Sequence, residues 1–175
     1  MKPLILPYQG VDPKIADTAF IAPTASIIGD VTIGEKVGVW FNCVIRGDVA
    51  SVSIGDRSNI QDGTVIHVSR YNGPTVIGAG VTVGHKALLH ACRLEDGSFV
   101  GMGATVMDNA VVESGGMVAA GALITPGKRV KSGQLWAGSP AKFFRDMTPE
   151  EIAFIKESEE NYVRHVDEYR EIVSL

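Results

Sequence analysis

Aliphatic residues recur at every sixth position along most of this chain. Ile21, Ile27, Ile33, Val39 and Ile45 open the series, which resumes at Ile54, Ile60 and Ile66 and again at Ile77, Val83 and Leu89. A last run goes from Leu94 through Val100, Val106, Val112, Val118, Ile124 and Val130 to Trp136. The next residue is often glycine, as in Ile33-Gly34, Ile54-Gly55, Ile77-Gly78, Val83-Gly84 and Val100-Gly101. A short period sustained over so many repeats belongs to a solenoid, because no single repeat can bury its apolar side chain without neighbours stacked on it. A β-sandwich of alternating strands would show hairpin signals and irregular spacing instead. The pattern predicts an all-β solenoid, a parallel β-helix.

The pattern resembles the hexapeptide-repeat proteins, whose left-handed β-helix uses three hexapeptides per triangular coil. Handedness is implied by the resemblance alone, since parallel crossovers are normally right-handed. Taking every third repeat then gives one column of Ile27, Ile45, Ile66, Leu89, Val106 and Ile124. A second holds Ile21, Val39, Ile60, Val83, Val100, Val118 and Trp136, and a third holds Ile33, Ile54, Ile77, Leu94, Val112 and Val130. The departures from six are extra residues before Ile54 and before Ile77 and a shortened repeat before Leu94. All fall at one corner, where loops leave a solenoid without disturbing its core.

The period changes near the C-terminus. Thr148-Pro149-Glu150-Glu151 reads as an N-cap, a first-turn proline and a capping-box glutamate. Ile152, Ile155, Tyr162, Val166, Tyr169 and Val173 follow at helical spacing, predicting an amphipathic α-helix packed on the solenoid. The organisation expected is a single domain over 1–175, with an N-terminal cap over 1–19, a β-helix over 20–140 and a helix over 148–173. The segment "WAGSPAKFF", with Pro140, resembles the exit segment of hexapeptide-repeat proteins and carries no information about chemistry.

A chain of 175 residues, 45% hydrophobic and 21% charged, suits one globular domain. A net charge of -4 provides no basic stripe for nucleic acid, and no apolar run approaches the roughly 18 residues of a membrane span. Two cysteines do not make a disulfide framework, and "MKPLILPYQG" lacks a signal-peptide core, so a cytoplasmic location is expected. Cys43 and Cys92 read as packing residues.

Side chains alternate along a strand, so the position after each first-column aliphatic points outward; it holds Arg46, His67 and His90 on consecutive coils. Stacked strands lie about 4.8 Å apart, which lets His67 and His90 reach one metal ion. His85 belongs to another column. Five extended residues from it to His90 span roughly 15 Å, so a neighbouring subunit is needed to bring it to the same ion. One coil before His85 lies Asp62, preceded by Gln61, on the column expected to face that neighbour. Arg46 of one chain opposite Asp62 of the next would make an intersubunit ion pair. Stacked surface imidazoles and solvated surface charges are the competing readings.

These segments resemble the γ-class carbonic anhydrases in order: "IRGD" with Arg46 and Asp48, "NIQDG" with Asn59, Gln61 and Asp62, "IHV" with His67, and "GHKALLH" with His85 and His90. The resemblance runs from about Ile21 to the C-terminal helix. It implies a homotrimer with sites at subunit interfaces, each built from two histidines of one chain and one of the next. There Zn²⁺, or Fe²⁺ or Co²⁺, would hold a hydroxide that hydrates CO₂ to bicarbonate, and Gln61 would orient it. Three neutral imidazoles leave the ion's charge uncompensated, a condition that lowers the pKa of bound water to about 7. Arg46 and Asp48 are expected to hold interface geometry and Asp62 to orient Gln61 or a ligand. Tyr162 is expected either to pack or to approach the site from the helix, and His165 to lie at the surface.

Two departures from the family pattern stand out. Where the archetype carries glutamates that assist proton removal, this chain has Val49 and the segment "VSRYNGPTV", which contains no acid. Alternatives to the carbonic anhydrase reading are an acyl-coenzyme A transferase or thioesterase and a non-catalytic metal-binding scaffold.

Overall fold

The computed structural model describes residues 2–174; Met1 and Leu175, the ends of the expected single domain, lie outside the described residues. The chain winds into about seven coils of a parallel β-solenoid, followed by one α-helix. Ladder registers reproduce the three columns: Ile27, Ile45, Ile66, Leu89, Val106 and Ile124 stack rung on rung. So do Ile21 through Trp136 and Ile33 through Val130. Nearly all of these side chains are buried in one continuous core. Each buried aliphatic contributes roughly 1.5–3 kcal/mol relative to exposure, so the repeat is its own source of stability.

The segment read as an N-terminal cap supplies part of a coil. Leu4–Leu6 and Lys14–Ile15 both pair in parallel with Ser26–Ile33, setting Ile5 on Ile27 and Ile15 on Ile33. At the other end Gln134–Gly138 pairs antiparallel with Ala141–Asp146, so the exit segment closes the solenoid with a hairpin.

The glycines after the core aliphatics answer to backbone contact between coils. A Cβ on Gly84 would sit 2.6 Å from the Met102 amide nitrogen of the next coil, closer than real Cβ atoms come. The irregular corner is where predicted. Val44–Ile54 runs through it as one strand beside Ser26–Ile33, with a register shift between Gly29 and Val31 that absorbs the extra residues. The longer insertion leaves as a loop closed by a Ser69–Gly73 bridge. The shortened repeat turns at the buried Ala91, whose φ of 45° is unusual for a residue with a Cβ.

The helix, Pro149–Ser174, begins with the reciprocal bonds of a capping box: the Glu151 amide donates to Thr148 Oγ1 (3.3 Å), and the Thr148 amide donates to the Glu151 carboxylate (2.9 Å). It crosses the strands Phe20–Ile21, Gly38–Val39, Asn59–Ile60 and Thr82–Val83. Phe20, Trp40 and Val166 form a buried cluster with Tyr162 and Tyr169 at its margin. Arg57–Glu159 and Lys36–Asp167, each at 2.5 Å, tie its outer face to the coils. Ile155 is buried, but the outer members of the predicted apolar series, Ile152 and Val173, stay exposed in the helix's end turns. No helix among the described residues is long and apolar enough to cross a membrane.

Candidate metal centre

His67 and His90 end the strands Val65–His67 and Leu88–His90 and are direct ladder partners. Ile66 and Leu89 point into the core, so alternation turns both imidazoles outward. Their ring centroids lie 5.3 Å apart with a 48° tilt. Arg46 follows Ile45, the partner of Ile66, and completes the predicted stripe.

Each of the three histidines meets its own aspartate. His67 Nε2 is 3.0 Å from Asp48 Oδ1, His85 Nδ1 is 2.9 Å from Asp62 Oδ2, and His90 Nδ1 is 3.0 Å from Asp108 Oδ2. An ionised carboxylate only accepts, so the ring nitrogen facing it carries the hydrogen; in a neutral imidazole the other nitrogen then keeps its lone pair. Asp48 also receives a bond from the Arg46 guanidinium. Within the chain, then, Arg46 is engaged by Asp48 and Asp62 by His85.

Asp108 is the residue that the reading of motifs missed. It lies 18 residues past His90, one full coil of three hexapeptides, and that interval is the signal that could have found it. Burial works to raise the pKa of Asp48 and Asp108, but bonding outweighs it: His67 and Arg46 hold Asp48 below the usual aspartate value, and Asn72 and His90 do the same for Asp108. The pairs therefore keep the carboxylates ionised.

His85 sits apart from this pair. The Lys86 amide donates to the Asp62 carbonyl (2.8 Å), which stacks His85 over Asp62 on another face. Among the described residues no three His, Cys, Asp or Glu side chains of one chain converge on a common point suited to a metal ion.

Gln61 is buried and fixed at both ends of its amide. Its Oε1 accepts from the His85 backbone amide (3.2 Å) and its Nε2 donates to Asn59 Oδ1 (3.0 Å). Asn59 donates in turn to Thr82 Oγ1 (3.0 Å), which is 3.3 Å from Ser158 Oγ on the helix. Gln61, His85 and Ser158 line a mostly apolar groove of about 470 Å³, with walls that include Phe99, Met102 and Phe154. Tyr162 lines the same groove and also packs edge-on against Trp40, with centroids 5.6 Å apart. His165 is exposed beside it. Cys43 and Cys92 are free and buried, and burial pushes both thiols up to about 12.

No protein-family model matches the chain. It is 52% identical over 155 residues to γ carbonic anhydrase 1, mitochondrial, of Arabidopsis thaliana, covering 86% of this chain and 56% of that protein. The chain thus spans little more than half the length of this plant relative. A carbonic anhydrase of Geobacillus kaustophilus is 42% identical over 95% of this chain and 91% of its own length. A crystal structure of a hexapeptide transferase family protein from Anaplasma phagocytophilum superposes with a TM-score of 0.92 at 54% identity, covering 95% of this chain and 98% of that one. The fold is the left-handed parallel β-helix of hexapeptide-repeat proteins. Within that class the chain belongs to the γ carbonic anhydrase family.

Proposed function

We propose that this protein catalyses the reversible hydration of CO₂ to bicarbonate, at sites completed between the chains of a homotrimer. The observation that carries the reading is the set of three imidazoles, each backed by its own carboxylate, with two side by side and the third on a different face. Carboxylate-backed histidine is the usual arrangement around a bound metal, because the second partner fixes ring orientation and raises ligand basicity. His67 and His90 of one chain and His85 of the next would hold the ion, and neutral imidazoles suit Zn²⁺, Fe²⁺ or Co²⁺. Such an ion supplies Lewis-acid activation of water near neutral pH.

The remaining roles belong to the chain's own groups. Asp48 and Asp62 orient His67 and His85, and Arg46 braces Asp48. Gln61, held by Asn59 and the His85 amide, keeps a second amide N–H to donate to a substrate oxygen. Tyr162 lines the groove that Gln61 also lines. Free Cys43 and Cys92 fit a reducing compartment, and we place the protein in the cytoplasm.

A second reading rests on the groove. At about 470 Å³ it is far larger than CO₂ requires and is mostly apolar, properties that suit the acyl part of a thioester. Metal analysis of anaerobically purified protein, combined with stopped-flow CO₂ hydration and acyl-coenzyme A hydrolysis, separates the two. Hydration that tracks metal content is expected. Thioester cleavage without hydration, in a fully loaded protein, would replace the first reading with the second.

A further inference from the structure

Resting on the metal reading above, we propose that Asp108 is a positioning residue for His90, aimed by Asn72 of the loop over residues 68–74. The two carboxylate oxygens have separate tasks: Oδ2 faces His90 Nδ1 at 3.0 Å, and Oδ1 accepts from Asn72 Nδ2 at 2.9 Å. A carboxylate held by one partner could rotate about its terminal torsion; held by both, it presents a fixed edge to the imidazole. His90 then carries its hydrogen on Nδ1, and Nε2 is the nitrogen left to bind a cation.

The backbone on either side of this contact is pinned. The Asp108 carbonyl accepts from Gly127 (2.9 Å) on the following coil, and the Asn109 amide donates to the Ala91 carbonyl (2.7 Å) on the preceding one. Ala91 is the left-handed residue directly after His90, so the turn that ends the His90 strand is bonded to the turn that carries Asp108. The loop end is ordered in the same way. Ser69 Oγ accepts from the amides of Tyr71 and Asn72 (3.3 and 3.2 Å), and Ser69 and Gly73 bridge the loop's base. The loop that lacks an acid therefore acts on the site through structure: it delivers an amide donor to the carboxylate behind a ligand.

The test reads the imidazole itself. Long-range ¹H–¹⁵N spectra of metal-free protein at alkaline pH report which His90 nitrogen is protonated. The Nδ1–H form is expected in the parent protein and its loss in Asp108→Ala, with a partial loss in Asn72→Ala, while the His67 signals, governed by Asp48, stay in place. Asn72 is exposed, so its variant keeps the question answerable if Asp108→Ala does not fold. Zn²⁺ affinity, measured by competition with a chelator, should fall about 10–100-fold in Asp108→Ala and recover in part in Asp108→Asn, whose amide oxygen can still accept. An unchanged His90 tautomer in the variants, with Zn²⁺ binding intact, overturns the assignment. A parent protein that binds no divalent ion overturns the reading beneath it, and the tautomer signal, recorded without metal, tells the two failures apart.

Discussion

His67 and His90 occupy one rung of the ladder with ring centroids 5.3 Å apart, yet they are held from opposite directions along the solenoid axis. Asp48, on the coil before, takes a nitrogen of His67, and Asp108, on the coil after, takes one of His90. The pair is thus fixed by four successive coils, while His85 is fixed to Asp62 on another face. This division gives the proposed site its dependence on assembly.

Mixing two inactive chains tests that dependence. His85→Ala retains His67 and His90, and His67→Ala retains His85, so neither variant alone forms a complete site. In cyclic trimers assembled at random from equal amounts of the two, about one quarter of the interfaces carry an intact set. Bound metal and CO₂ hydration should therefore return together upon refolding the mixture. No recovery, in mixed trimers demonstrated by mass spectrometry, would place all three ligands in one chain.

Arg46→Ala should weaken the trimer more than the chain. In a single chain Arg46 is 42% exposed and its partner Asp48 only 15%, so the pair there contributes little, about 0–1 kcal/mol. In the proposed trimer, with a neighbour covering it and that neighbour's Asp62 opposite, the guanidinium would belong to a buried network whose disruption costs on the order of 3–5 kcal/mol. Denaturation followed across protein concentrations separates the two cases. A midpoint loss that is small and independent of concentration would put Arg46 on the open surface.

The columns and the stripe were legible because both follow from one period: six residues fix which aliphatics stack, and alternation fixes what points out. The paired placement of His67 with His90, and of His85 over Asp62, needed only the coil length and the placing of the insertion before Ile77 at the corner. The first coil was hidden because Pro3, Pro7 and Pro13 interrupt it and its ladder residues, the exposed Ile5 and the partly buried Ile15, are separated by a non-hexapeptide interval. Asp108 was hidden for another reason. The interval of one coil sets it beside His90, but Asn72 reaching it from a loop has no sequence signature, and without that bond nothing marks the aspartate out.

Acid should release the start of the helix before the solenoid. Glu151 takes both guanidinium nitrogens of Arg145 (2.7 and 2.8 Å) and the Thr148 amide, and these partners lower its pKa from 4.5 to about 2. Because the folded value is depressed, the stabilisation is fully present above the ordinary value of 4.5 and is lost as the pH falls toward about 2. Hydrogen exchange of the Glu151 and Ile152 amides should therefore accelerate relative to the solenoid amides across that window. Glu151→Gln should be weaker at neutral pH and insensitive within the window; an identical pH response in parent and variant would assign the effect to another group.

Proton release should limit turnover. Each CO₂ hydrated to bicarbonate sends one proton to solvent, and a positioned acid–base group typically contributes 10²–10⁴-fold to such a transfer. Val49 cannot take part, being a partly buried aliphatic against the core and next to Asp48. Asp48 is already engaged by Arg46 and His67. The loop does not compensate: Thr75 donates to the His67 carbonyl (2.5 Å), Asn72 is on Asp108, Ser69 caps the turn, and Arg70 and Tyr71 bring neither a carboxylate nor an imidazole. A small diffusible base such as imidazole should therefore raise turnover at saturating CO₂ while leaving kcat/KM nearly unchanged, since the hydration step itself needs no carrier. Val49→Glu places a carboxylate beside Asp48 and should reduce the dependence on buffer, at some cost in stability from charging a partly buried position. Turnover that is fast and independent of buffer in the parent protein would show that another group carries the proton out, and hydration absent at every buffer concentration in a fully loaded trimer would move the function to the thioester reading.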